Sequence, residues 1–87
     1  MKRIIQITQN LSYGDAIGNH ILTTHKSLLQ QGFDSRVYAL YIDSRVAQYA
    51  RPIAEYQNED TDVILYHLSI TSPLNRIFAS YKGRRLI

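Results

Sequence analysis

Apolar positions along the chain fall into short continuous runs separated by one strongly periodic segment. Ile4, Ile5 and Ile7 form a β-branched run that is apolar nearly throughout, and Asp62 to Tyr66 (DVILY) repeats that character. Strands of this kind are buried on both faces, as in parallel sheets. Phe33 to Ile42 (FDSRVYALYI) is a further strand, centred on Val37, Ala39 and Leu40. Between the first two strands, Ile17, Ile21, Leu28 and Leu29 recur at helical spacing, with Thr24 and His25 filling the same stripe. Asp15 is placed to cap that helix and Gly32 to end it, so the pattern predicts a helix from about Ala16 to Gln31.

Polar, turn-rich residues from Gln9 to Gly14 predict a loop. Asp43 to Asp60 is the least patterned piece. Pro52 divides it, Ser44 to Ala50 fits a short helix with Val46, Ala47 and Ala50 inside, and Asn58 to Asp60 is an acidic turn. After the third strand, His67 to Thr71 reads as a loop. Ser72-Pro73 then marks a helix start, and Leu74, Ile77, Phe78 and Tyr81 make one apolar stripe that Gly83 stops. Arg84 to Ile87 opens a fourth strand.

The order β-α-β-(linker)-β-α-β indicates an α/β fold, a Rossmann-like parallel sheet with flanking helices and right-handed crossovers. Eighty-seven residues hold at most one small domain, burying roughly 60–65% of its unfolded surface. Ending inside a strand, the chain is expected to be the front part of something longer.

Composition narrows the classes. An apolar fraction of 45% is ordinary for a globular protein. No cysteine is present, which removes disulfide scaffolds and thiolate metal sites and agrees with a reducing compartment. The net charge of +3 is scattered apart from Lys82, Arg84 and Arg85, so a nucleic-acid partner is not expected. Gln6, Thr8, Gln9 and Asn10 interrupt any leader-like apolar core, and a cytoplasmic location is expected.

Candidate chemistry lies at the carboxyl ends of strands one and three, where open α/β sheets bind ligands. The first loop carries Gly14, Asp15, Gly18 and Asn19 on the N-terminus of a helix, an arrangement suited to an anion. It matches neither G-x-G-x-x-G nor the P-loop pattern. The turn and a close helix–sheet contact would explain the glycines equally well, and a capping role would explain Asp15. His67 stands at the second strand end, as a ligand contact or a hydrogen-bonded loop residue. His20 sits near the mouth of the first helix and His25 reads as a packed helix residue. No metal-ligand spacing is present on any one element.

Three stretches, IIQITQNLSYGDAIGNHIL, LLQQGFDSRVYA and DVILYHLSITSP, together resemble the start of a group-1 glycosyltransferase, the retaining GT-B type called family four. The likeness rests on the strand, glycine loop and helix, the leucine-x-x-x-glycine turn, and the aspartate-to-histidine strand end from Asp62 to His67. GDAIGN replaces the usual glycine pair. The resemblance implies that residues 1–87 are part of an N-terminal Rossmann-like domain, a truncated half of a GT-B fold. It implies transfer from a nucleotide-sugar donor to a sugar, glycan or lipid-linked acceptor. Gly14, Asp15, Gly18 and Asn19 would then lie against donor or acceptor and His67 near the transferred sugar, with no metal or cofactor. A peripheral membrane contact of the full-length protein goes with a lipid-linked acceptor. The donor-binding domain falls outside the chain, so these residues alone should not catalyse transfer. The competing reading is a non-catalytic α/β nucleotide- or phosphate-binding module. A receiver-type domain is weaker, because Gln9 and Asn10 stand where acidic residues would be needed.

Overall fold

The computed structural model describes residues 3–67 and 83–86. Its elements are β1 (Arg3–Leu11), α1 (Ala16–Gln30), β2 (Asp34–Ile42), a 3-10 turn (Ser44–Tyr49), β3 (Arg51–Pro52), a second 3-10 turn (Ile53–Glu55), β4 (Val63–His67) and β5 (Arg84–Leu86). The strands form one all-parallel sheet in the order β3-β2-β1-β4-β5, in which β3 is only two residues long. This is the α/β, Rossmann-like arrangement the strand pattern predicts. The helix expected after Ser72 lies outside the described residues. Gly83, expected to end it, has φ +102° and packs against the Asp62 carbonyl, which accepts the Arg84 N–H at 2.9 Å.

Two cores sit on opposite faces of the sheet. Ile5, Ile7, Tyr38, Ile64 and Tyr66 meet Tyr56 on one face, with the Tyr38 and Tyr56 rings 4.9 Å apart. Val37 and Ala39 meet Ile21 of α1 and Val46 and Ala50 of the first 3-10 turn on the other. Ile21 has no exposed surface, and burying a side chain of this size stabilises by about 1.5–3 kcal/mol.

α1 begins and ends as its sequence dictates. Asp15 accepts the Gly18 N–H, and the Gly32 N–H bonds Leu29 while the Phe33 N–H bonds Leu28. That double bond around a glycine at φ +89° is a Schellman stop. The apolar stripe differs from expectation. Gly18, Ile21 and His25 are the buried positions, while Ile17 and Leu29 are exposed. α1 is thus rotated so that Ile21, flanked by the small Gly18 and the polar His25, faces the sheet, while Ile17 and Leu29 do not. In the first 3-10 turn Val46 is buried but Ala47 is exposed.

β1 also departs from expectation. It runs on through Gln9 and Asn10 to Leu11, where a loop was expected. The extension holds because β2 is equally long: Asn10 and Leu11 stand opposite Tyr41 and Ile42 in the ladder, which satisfies their backbone groups.

At the other end of the sheet, Arg3 grips Asp62 through two nitrogens, each 2.8 Å from a carboxylate oxygen. The Tyr56 hydroxyl and the Glu59 N–H also donate to Asp62. Burial pushes the Asp62 carboxyl up, but these donors outweigh it and hold it below the ordinary carboxylate range. Asp62, the first residue of the aspartate-to-histidine stretch, therefore clips the linker to the start of β1. It lies at the amino end of its strand, away from His67.

Candidate functional site

β1 and β4 are neighbours, and their connections leave in opposite directions, to β2 on one side and β5 on the other. That divergence opens a crevice at the carboxyl ends of the two strands. Thr8 of β1 and His67 of β4 stand side by side across it. A concavity of about 310 Å³ is lined there by Thr8, Gln9, Asn10, Ser12, Asp15, Ile17 and His67.

His67 is held by a buried relay. Gln6 is 1% exposed, and its Nε2 donates to the Ile21 carbonyl of α1 at 3.1 Å. That bond fixes the amide orientation, leaving Oε1 as the acceptor 2.9 Å from His67 Nε2. An amide oxygen cannot donate, so Nε2 carries the imidazole proton and Nδ1 is the basic nitrogen. Burial, and then the nearby His20, lower the His67 pKa. The ring is therefore neutral at neutral pH. His20 meets it edge to face, with centroids 6.4 Å apart.

The loop after β1 is built by Asp15 and Gly18. Asp15 Oδ1 accepts the Gly18 N–H at 2.5 Å. Gly18 is buried, and a Cβ there would collide with the Ser12 carbonyl oxygen. Close packing of loop on helix thus requires glycine. Gly14 has φ +83° with open space around it, so backbone conformation alone explains that glycine.

The structure brings only some of the expected site residues together. Asp15 and His67 share the crevice. Gly18 supports it from beneath, its N–H already occupied. Gly14 and Asn19 line a different concavity on the flank of α1. His25 is buried and hydrogen-bonded to Ser35 Oγ at 2.7 Å, as its packed reading implies. A larger opening of about 490 Å³ lies beyond that pair, along the outer side of β2 beside Tyr38, Arg51 and Glu55, away from the strand ends.

Sequence reading missed Thr8, Gln9, Asn10 and Ser12 as lining residues and Gln6 as the support of His67. One signal was available: Gln6 and Thr8 are polar residues inside an otherwise buried run, and a buried polar group needs a partner. Gln9 Oε1 is buried and has no hydrogen-bond partner among the described residues.

The described lining residues offer hydroxyl, amide, imidazole and carboxylate groups beside the apolar Ile17, and none of them is lysine or arginine. The capping carboxylate already occupies the positive end of α1. Such a crevice suits a neutral polyhydroxyl ligand better than a phosphate. Among the described residues, no three His, Cys, Asp or Glu groups are placed to hold a metal ion, and no helix is long and apolar enough to cross a membrane. Comparison with protein-family models, curated proteins and solved structures gives no match.

Proposed function

We propose that the chain is the N-terminal part of a cytoplasmic glycosyltransferase and that the β1–β4 crevice takes the sugar acceptor. The observation that carries this reading is the lining: five uncharged hydroxyl, amide and imidazole side chains around one carboxylate and beside Ile17, with no lysine or arginine among the described lining residues to favour a free phosphate. Sugar hydroxyls both donate and accept. Asp15 and the Thr8 hydroxyl oxygen, whose proton goes to the Asn10 carbonyl, supply acceptors, while the Asn10 and Ser12 side chains supply donors.

His67 is the residue closest to chemistry in this reading. Its neutral ring, with Nε2–H committed to Gln6, leaves Nδ1 to accept a hydrogen bond from an acceptor hydroxyl. The nucleotide-sugar donor belongs to a second domain that follows this one in the full-length protein. The bond from the anomeric carbon to the diphosphate breaks as the acceptor oxygen bonds that carbon, and the acceptor hydroxyl proton passes to His67 Nδ1. In this reading the donor half lies outside these 87 residues, which are not expected to turn over nucleotide sugars on their own.

Activity of the full-length protein tests the assignment. His67→Ala is expected to lower kcat/KM for sugar transfer by about 10²-fold or more, with folding unchanged by circular dichroism. Near-wild-type transfer would remove His67 from the site.

A further inference from the structure

The flank of α1 that faces the first 3-10 turn carries a second concavity of about 310 Å³, which shares no lining residue with the crevice. Its floor is apolar, formed by buried Val46 and half-buried Leu22. Each of its two cations lies over a tyrosine ring. The Arg45 guanidinium is 4.7 Å from the Tyr13 centroid, and Lys26 Nζ is 5.3 Å from the Tyr49 centroid. Both distances are within the range of cation–π attraction.

The charges do not cancel. Arg45 is paired with Asp43, Nη2 to Oδ2 at 2.8 Å, and Asp43 also receives the Arg45 and Tyr13 N–H groups. Lys26 makes no ion pair among the described residues, and no carboxylate lines the groove. A surplus positive charge thus sits over an apolar floor between aromatic walls. Tyrosine contacts restrict both cationic side chains in advance, which lowers the entropy cost of fixing them on a ligand.

We propose that this groove binds a phosphate-bearing small molecule. Lys26 is the principal charge on the phosphate, Arg45 the supporting one, and Tyr13 and Tyr49 are walls for the attached ring or sugar. Arginine and lysine are the usual side chains for phosphate recognition, and a volume of this size accommodates a small phosphorylated metabolite. The site is independent of the acceptor crevice, and sugar transfer is not needed to observe it.

Amide chemical-shift titration of the protein with inorganic phosphate, adenosine monophosphate and adenosine tests this. Saturable shifts at Asn19, Thr23, Lys26 and Gln48 are expected with both phosphates. Lys26→Gln should weaken binding about tenfold, the scale of one charge-assisted hydrogen bond, and Lys26→Arg should restore it. Tighter binding of the monophosphate than of inorganic phosphate supports a contribution from the walls. Absence of saturation, adenosine binding as tightly as its monophosphate, or a Lys26→Gln protein that binds as wild type overturns the proposal.

Discussion

Gln6 Oε1 lies 2.9 Å from His67 Nε2, so a buried amide on the central strand sets the protonation pattern of the ring at the neighbouring strand's end. The same amide donates to α1 at the Ile21 carbonyl. One side chain therefore couples three elements. Nitrogen-15 shifts of the His67 ring should report protonated Nε2 and free Nδ1 in the wild type. Gln6→Leu should mix the tautomers and destabilise the fold by about 1–3 kcal/mol in urea denaturation, because buried groups lose their partners. An unchanged tautomer in Gln6→Leu would show that another group fixes the ring.

Two histidines make stability depend on mild acid. Burial and then His20 lower the His67 pKa, and burial and then Lys26 lower that of His25. The unfolded chain takes up protons on these rings from about pH 6.5 downward, before the folded chain does. Their contribution is complete above that pH and is lost as pH falls through the lowered folded values. Urea midpoints should drop between about pH 7.5 and 5.5, with a shallower slope in His67→Gln. Equal midpoints at both pH values would contradict the assignment.

Arg3 and Asp62 form the strongest structural clip among the described residues, with side chains only 11% and 0% exposed. Removing one partner of a nearly buried pair strands the other charge. Arg3→Met should cost about 3–5 kcal/mol, a large part of the total stability of a small domain. The lowered Asp62 pKa adds stability above the ordinary carboxylate range and loses it as pH falls below that range. An Arg3→Met protein with a wild-type denaturation midpoint would refute the clip.

Gly18 and Asp15 separate packing from capping. Gly18→Ala drives a Cβ into the Ser12 carbonyl and should cost about 1–3 kcal/mol while displacing the crevice loop. Asp15→Ala removes the cap on the Gly18 N–H and should cost about 0.5–2 kcal/mol. Thermal denaturation of both variants distinguishes them. A Gly18→Ala protein as stable as wild type would mean the loop relaxes freely.

Local patterns were legible where a residue's environment depends on its sequence neighbours. Strand runs at Ile4–Ile7 and Val63–Tyr66, the Asp15 cap and the Gly32 stop could all be read directly. Reading failed where a distant partner decides burial. Gln6 and Thr8 are polar yet buried; the partners of Gln6 are Ile21 and His67, the latter 61 positions away. Ile17 is apolar yet exposed, because Gly18 and Ile21 occupy the sheet-facing line of α1. The division of Gly14 and Asn19 from Asp15 and His67 depends on which side of the loop each faces, which glycine spacing does not encode.

The strand order carries a temporal consequence. β1 lies at the centre of the sheet, yet its two neighbours are synthesised at very different times. β2 follows it after one helix, whereas β4 emerges only at Val63, about 1–4 s after Ile42 at ordinary translation speeds of ~5–20 residues per second. During that interval a nascent β1-α1-β2 unit exposes the edge of β1 beside Ile5 and Ile7, an open strand edge that favours chaperone capture or pairing with another chain until β4 closes it.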